Sequence, residues 1–442
     1  MPTPLPELRA KVHAQKTRIP RMYGGIDFDH VPERFTADPA VKSMFAPSIA
    51  RKPRSEYLRD AEGVERALAY TLLGDAEADA YAALYPEYGV RGLIDMLVLA
   101  CERGIDAVKD APPELERFIA SMERTPDWLD PKLSAEGARA SRVMMAKVTP
   151  FFIRGAFIAT FMNRYTGLPM ALTGALMKGS SVQRVKETAS FFTTASLPGA
   201  LSRFGSGFRA AAMVRLMHSV VRANLLMRPN LWDYRTFGIP IPQVDQMPAG
   251  TMPSIITAMR VMNEGRGFTR RERAVVEHCR HQCFLLGVPA DLLPETPEAI
   301  LDAILLYSAT LRDGYDDATN GELVRSTMAA YLPSDDSLRS RFFDRVERSV
   351  SKVFFKHTFR VSDGKARQMG VVPNALDYAA FAAFQLYAVP RVLAHVFAER
   401  VPVANELADA RLVEEINELL VSYGHAEYTS DPAKYHALRA AS

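Results

Sequence analysis

The amino-acid sequence predicts an all-α fold, in which a single large helical domain follows an irregular N-terminal arm. Apolar residues recur at steps of three and four in segments such as 64–84, 94–111 and 299–317, and alanine is frequent throughout them. This period places the apolar side chains on one face of a helix, and alanine has the highest intrinsic preference for helix. Alternating apolar and polar runs bounded by turn residues, which would indicate strands, are nearly absent.

The chain of 442 residues divides by composition into an arm and a domain. Residues 1–60 are rich in proline and basic residues and show no sustained period, so we expect an extended arm that lies over the rest of the protein. Residues 61–442 contain neither an internal repeat nor a linker poor in apolar residues. We therefore predict one helical domain over that range.

The charges give no indication of a polyanionic partner. The chain has 54 basic and 51 acidic residues, a formal net charge of +3, and they are spread along the sequence. Because there is no concentrated positive field, we expect no nucleic-acid partner and no electrostatic attraction to an anionic membrane surface. The three cysteines predict no disulfide framework.

Neither a secretory signal nor a membrane span is expected from the sequence pattern. Residues 1–25 have no apolar run behind their charges, so we expect a cytoplasmic protein, or a secreted or periplasmic one if a leader was removed. The most apolar stretch, 151–177, is interrupted by polar residues such as Arg154 and Asn163. It falls short of the uninterrupted apolar run of about 18 residues that a span requires. We therefore expect no transmembrane segment.

Two consecutive helices are predicted to carry the polar residues of interest. The first begins at Ser180 and runs toward the break at residues 198–199. On it, Arg184, Glu187 and Thr188 stand at steps of three and four, so we expect them to share one face.

The second of these helices is predicted to begin after the glycine-rich residues 205–207 and to end near Arg228, because a proline follows. Arg215, His218 and Arg222 share a face on it, among apolar neighbours. A neutral imidazole on a rigid helix is a haem ligand in many proteins, and arginines one turn away could pair with the propionates. The commoner alternative is a histidine whose ring nitrogens are satisfied by neighbouring groups.

The sequence resembles the oxygenase family that includes latex clearing protein, a rubber oxygenase, and MpaB. The similarity is carried by blocks that occur in the family's order and spacing. These blocks are TPDWLD at 125–130, RVKET at 184–188, VRLMHSVVR at 214–222, GIPIPQVDQMPAGT at 238–251 and HCRHQCFLLGVPADLLP at 278–294.

The resemblance implies a helical domain of globin-like character around haem b, with His218 as the proximal ligand of the iron. It also implies that dioxygen reacts with a hydrophobic unsaturated substrate, isoprenoid or lipid-like, which is a small molecule or a polymer. Apolar, aromatic and methionine-rich segments such as 151–165 and 378–390 could line a substrate channel or simply form core.

The side of the haem opposite His218 departs from the rubber oxygenases. Those proteins have an arginine, a lysine able to occupy the sixth iron position and a threonine, whereas Glu187 stands here at the lysine's place between Arg184 and Thr188. They also use an earlier glutamate as a base, and residues 163–179 contain no carboxylate. We therefore expect a smaller alkene rather than a long polymer as substrate. The resemblance thus implies that Arg184, Glu187 and Thr188 are the candidate catalytic residues. Glu187 acts as a distal acid or base, or it pairs with Arg184 or Arg203.

Two other interpretations stay open at this point. His278, Cys279, His281 and Cys283 could hold zinc or a di-iron centre, but the cysteines lie about 100° around the helix from the histidines, which favours ordinary core packing. The chain could also be a haem-binding sensor or carrier without turnover, or a helical scaffold without haem.

Overall fold

The all-α prediction is confirmed by a computed structural model, which describes residues 2–172, 180–228 and 230–424. Within these ranges the chain forms helices joined by turns and loops, with no β-strand and only two isolated bridges. The α-helices are α1 (Leu5–Arg18), α2 (Pro20–Tyr23), α3 (Arg54–Arg59), α4 (Ala61–Thr71), α5 (Ala76–Ala82), α6 (Tyr85–Arg103), α7 (Pro113–Glu123), α8 (Pro131–Lys147), α9 (Ile153–Phe157), α10 (Arg164–Met170), α11 (Ser180–Ala195), α12 (Ser206–Met227), α13 (Tyr234–Phe237), α14 (Met252–Asn263), α15 (Arg270–Leu285), α16 (Pro297–Thr310), α17 (Glu322–Ala329), α18 (Leu338–Thr358), α19 (Asp363–Gln368), α20 (Ala375–Ala398) and α21 (Pro402–Tyr423).

The described residues fall into two compact units. Residues 2–137 and 201–313 form the first unit, and residues 138–200 and 314–424 form the second. The first unit contains the whole N-terminal segment together with α12. The boundary at residue 60 and the single domain over 61–442 remain predictions.

The N-terminal segment combines a helix with an extended stretch. Helix α1 buries Leu8, Val12 and Gln15 and packs on α2 and α4. This buried stripe is narrow on an otherwise polar helix, which is why the period is weak in the sequence. The extended stretch follows the end of α16, where the amide of Thr36 donates to the carbonyl of Thr310 over 2.8 Å. The segment is therefore part of the first unit, and its description as a separate arm stays a prediction.

Helix α12 is the central helix of the first unit. It spans Ser206–Met227, as the glycine cluster and the following proline predict, and most of its residues are buried. It packs on α2, α5, α6 and α15. The predicted helical segment 64–84, by contrast, is two helices, because the loop of residues 72–75 separates α4 from α5. Asp75 begins α5 by accepting a hydrogen bond from the backbone amide of Ala78 at 3.2 Å.

A cluster of four buried charges joins α12 to α5. Arg215 binds Asp75 through two nitrogens, with 2.8 Å between Nη2 and Oδ1, and Arg222 binds Asp79. Tyr23 donates its hydroxyl to Oδ2 of Asp79 at 2.6 Å. Burial and the nearby Asp79 carboxylate raise the pKa of Tyr23 well above its ordinary value, so this hydroxyl remains a donor. Burial alone would raise the pKa of Asp75, but the Arg215 guanidinium holds it below its ordinary value.

Gly287 packs directly against this charge cluster. Its φ is +85°, a left-handed conformation that favours glycine. A Cβ atom at this position would lie 2.4 Å from Oδ2 of Asp75 and 2.5 Å from Nε of Arg215. The cluster therefore requires glycine here for two independent reasons.

The second unit contains most of α8 together with α9–α11 and α17–α21. Its core includes the buried Arg154, which binds both Asp344 and Glu347 of α18. Most of segment 151–165 is buried around this arginine, so it forms core. The apolar stretch that begins at residue 151 continues to 177, and its residues 173–177 lie outside the described part of the chain.

Helix α20 exposes most of its apolar side chains. Leu386 is 80% exposed and Phe397 is 59% exposed, whereas Phe384 and Ala388 are buried. In the described ranges α20 is the one unbroken helix with the length and apolar composition of a membrane span, and only 17% of its most apolar window is buried. A second span would have to combine residues 131–151 and 153–161, which meet at a bend of 93°. Segment 378–390 is therefore mostly surface rather than core.

Breaking the buried ion pair of Arg222 and Asp79 should destabilise the protein much more than breaking an exposed ion pair on α12. Arg222→Met leaves Asp79 buried without its cation, which should cost about 3–5 kcal/mol of unfolding free energy. Arg209→Met is the matched control, because Arg209 of α12 pairs with Glu102 where both side chains are nearly half exposed. Its cost should be about 0–1 kcal/mol. Chemical unfolding followed by circular dichroism measures both, and equal losses would contradict the role assigned to the cluster.

Gly287→Ala should destabilise the protein more than Gly265→Ala. Gly265 has a similar φ of +66°, but a Cβ atom there would meet nothing within 4 Å. Both variants incur the left-handed backbone cost, whereas only Gly287→Ala displaces the Asp75–Arg215 pair. We expect the difference to be about 1–3 kcal/mol, the range for overpacking a core. If thermal unfolding shows the two variants to be alike, the close contact at Gly287 does not constrain the cluster.

Candidate functional site

His218 lies in the middle of α12 and is partly exposed. Its Nδ1 atom is 3.1 Å from Oε1 of Gln246. Gln246 is buried in the loop of residues 238–251, which follows α13 and belongs to the same compact unit. The structure therefore brings together the predicted histidine and a glutamine to which the sequence analysis gave no role.

The loop of residues 238–251 has an unusual backbone. Ile241, Met247 and Ala249 adopt φ values of 47°, 56° and 65°, in the left-handed region that side chains other than glycine rarely occupy. Such conformations persist only where surrounding contacts hold them. The sequence predicted an irregular stretch at 229–253 from its prolines and glycines, and this prediction is confirmed for the described residues.

Two arginines hold this loop. Arg222 donates to the carbonyl oxygen of Pro240 at 2.9 Å and to that of Ile241 at 2.6 Å. Arg34, from the N-terminal segment, binds both carboxylate oxygens of Asp245 at 2.9 and 2.6 Å. The backbone conformation that brings Gln246 to His218 is therefore fixed by buried or nearly buried charged groups on both sides.

The predicted propionate-binding arginines have carboxylate partners within the protein. The guanidinium of Arg215 also lies within hydrogen-bonding distance of Ser121, at 3.0 Å, and over the ring of Phe118. Arg222 is fully buried between Asp79 and the loop carbonyls. Both arginines thus support the helix and loop around His218, and their pairing with haem propionates stays a prediction.

The three candidate residues on α11 have different surroundings. Glu187 is buried and accepts a hydrogen bond from Nε2 of Gln183 at 2.9 Å. Its other oxygen lies 4.0 Å from Nη1 of Arg184, the outer limit of an ion pair. Thr188, about 100° around the helix from Glu187, is exposed. Helix α11 belongs to the second compact unit, and the distal assignment of Arg184, Glu187 and Thr188 stays a prediction.

The contacts of Glu187 and Arg203 favour the pairing of Glu187 with Arg184. Arg184 on the same helix lies at the outer limit of an ion pair with Glu187. Arg203 binds Glu123 and the backbone carbonyls of residues 100 and 101. Residues 163–172 contain no carboxylate, and residues 173–179 of that stretch lie outside the described part of the chain.

The histidines and cysteines of α15 have protein partners of their own. His278 contacts Gln282 at 2.9 Å, and Nδ1 of His281 lies 3.0 Å from Oγ of Ser134. Burial lowers the pKa of His281 to about 4 and raises the pKa of Cys279 to about 11. No group of three or more potential metal-binding side chains occurs in the described ranges. The surroundings of these residues are those of core packing.

Sequence reasoning missed the groups that orient His218. Asp75 and Asp79 stand four residues apart in an alanine-rich segment, so a helical plot places two carboxylates on one face and marks them as partners for buried cations. Gln246 left no comparable signal, because a glutamine in a loop is usually solvated. Its role becomes visible only when the loop backbone is known.

Comparison with known proteins supports the fold independently. A solved structure of latex clearing protein in the closed state is similar with a TM-score of 0.55 and 18% sequence identity, over 80% of this chain and 91% of that chain. At this identity the likeness is one of fold. No curated protein shows significant similarity to this chain.

The family comparison covers more than half of the chain. Residues 142–393 match the family described as "ER-bound oxygenase mpaB/B'/Rubber oxygenase, catalytic domain". The match begins after the block at 125–130 and extends well beyond the block at 278–294. It includes both α11 and α12, and with them His218. The chain therefore belongs to the family of ER-bound oxygenases mpaB/B' and rubber oxygenases.

Proposed function

We propose that this protein is a haem b-dependent oxygenase in which His218 binds the iron and dioxygen reacts with a hydrophobic unsaturated substrate. The observation that carries the proposal is the contact between Nδ1 of His218 and the buried Gln246 amide, within the region that matches the oxygenase catalytic domain. Histidines that bind metals usually donate their other ring nitrogen to a fixed acceptor. The contact of His218 with Gln246 fits this arrangement.

The residues around His218 fit a haem ligand. Val221 and Leu225 on the following turns are buried, and Val214 and Met217 on the preceding turn are partly buried. Apolar neighbours of this kind exclude water from a porphyrin face. When bound, the haem iron would supply the redox chemistry with dioxygen, as cofactors do in oxygenases generally. The chain itself holds the imidazole on a rigid helix and keeps its orientation through Gln246.

The proposal also assigns roles to five other residues. Arg215 and Arg222 are assigned to the propionates, although their described contacts favour support of the helix and loop. Glu187, with Arg184, is assigned to the handling of protons, on the resemblance and on the burial of Glu187. Thr188 is included because it stands at the place of the threonine in the rubber oxygenases.

The first expected result concerns the retention of haem. His218→Ala should abolish or strongly reduce the haem that is purified with the protein, because the bond from iron to the imidazole is lost. His278→Ala and His281→Ala are matched controls on α15 and should leave the absorption spectrum largely unchanged. The visible spectrum of the purified protein, with and without reductant, measures all three. A full haem content and an unchanged spectrum in His218→Ala would show that another residue is the ligand.

The second expected result concerns the substrate. The charges beside His218 are paired within the protein, so we expect recognition of an apolar chain rather than of a polar head group. Oxygen uptake should be about tenfold or more faster with squalene than with its saturated counterpart, a barrier difference of roughly 1.4 kcal/mol or more. Polyisoprene should be a poorer substrate, because a carboxylate that the rubber oxygenases use is missing. Uptake independent of unsaturation would contradict the alkene, and abundant carbonyl-ended oligomers from polyisoprene would contradict the preference for small substrates.

A further inference from the structure

A chain of three side-chain hydrogen bonds ends on His218. Nε2 of Gln243 donates to the backbone carbonyl of Gly74 at 3.1 Å, and Nε2 of Gln246 donates to Oε1 of Gln243 at 3.3 Å. Oε1 of Gln246 lies 3.1 Å from Nδ1 of His218. Both glutamines are buried, and the whole chain of bonds lies within the first compact unit.

The chemistry of the first acceptor fixes the direction of all three bonds. The carbonyl of Gly74 can only accept, so Gln243 must turn its amino group toward it. The carbonyl oxygen of Gln243 then faces Gln246 and accepts from the amino group there. The carbonyl oxygen of Gln246 therefore faces the imidazole, and the shared proton must be on Nδ1. Reversing either buried amide would oppose two acceptors or two donors with no bulk water to compensate.

Gly74, whose carbonyl is the first acceptor in this series of hydrogen bonds, is itself held in place. The amide of Gly74 donates to Oε1 of Gln15 at 2.8 Å, and Nε2 of Gln15 donates to the carbonyl of Leu72 at 2.9 Å. The amide of Gln243 donates to the carbonyl of Leu73 at 2.8 Å. Gln15 belongs to α1, so the N-terminal helix restrains the loop on which the series of bonds begins.

We propose that Gln243 and Gln246 form a relay that sets the tautomer of His218, with the proton on Nδ1 and the lone pair on Nε2. Gln246 is thus a positioning residue, and Gln243 acts through it. The functional meaning of the inference rests on the proposed role of His218 as haem ligand. Because Nδ1 contacts Gln246, Nε2 is the ring nitrogen whose lone pair can bind the iron. The tautomer itself is a property of the protein without haem.

The tautomer is measured on the full chain labelled with ¹⁵N-histidine, before haem is added, with His218→Ala identifying the resonance. Wild type should show a protonated Nδ1. Gln246→Leu, which removes the acceptor, should shift His218 toward the form protonated on Nε2, and Gln243→Leu should give a mixture because the Gln246 amide can then reverse. Gln282→Leu is the matched control, since Gln282 contacts another buried histidine, His278, and should leave His218 unchanged.

A second measurement uses the haem-loaded full chain. The iron–histidine stretching band of the ferrous protein, observed by resonance Raman spectroscopy, should fall in Gln246→Leu and rise in Gln246→Glu, because a carboxylate accepts more strongly than an amide. Gln246→Met, which removes the acceptor with a side chain of similar volume, serves if Gln246→Leu does not fold. A wild-type Nε2-protonated tautomer, or a band that neither Gln246 variant moves, would overturn the relay. Failure of wild type to bind haem would instead overturn the proposed function, while the tautomer measurement would still decide the relay.

Discussion

The buried contact between two aspartates of α5 and two arginines of α12 is the constraint on which the first unit depends. Two pairs of opposite charges are removed from water, and the partners in each pair neutralise one another. These pairs are Asp75 with Arg215 and Asp79 with Arg222. A buried pair contributes modest net stability, but removal of one partner is costly, so such a cluster defines one arrangement of its helices. Because Arg215 and Arg222 flank His218 on α12, the same contacts define where the imidazole lies.

Arg222 connects this helix arrangement to the backbone of the loop beside it. One guanidinium binds Asp79 of α5 and also the carbonyls of Pro240 and Ile241, where the backbone enters a left-handed conformation. The conformational cost of that backbone is offset by charge-assisted hydrogen bonds from the fully buried Arg222 side chain. The position of α12 and the conformation of the loop are therefore fixed by the same contacts of Arg222. These contacts place Gln246 beside His218.

The sequence could predict the helices but not the partners of their polar residues. Both bounds of α12 follow from glycine and proline chemistry, and the irregular loop follows from the same residues. The arginines were assigned to a ligand because local spacing contains no information about α5, which is distant in the chain. Helix α20 shows the converse limit: a run that is apolar on all sides does not indicate which side is buried, and only a stripe including Phe384 and Ala388 is.

The charge balance also explains why a neutral amide, rather than a carboxylate, contacts His218. The nearby aspartates are already matched by Arg215 and Arg222, so a third buried carboxylate would have no cation and would carry a large desolvation cost. An amide gives an acceptor without charge, but it can reverse its two ends. Anchoring it through Gln243 to the Gly74 carbonyl removes that ambiguity. A Cβ atom on Gly74 would lie 2.2 Å from the Tyr23 hydroxyl and 2.6 Å from Oδ2 of Asp79, so the anchor and the charge cluster share one close-packed point. The direction of the hydrogen bond at His218 is therefore determined by the same packing that holds its helix.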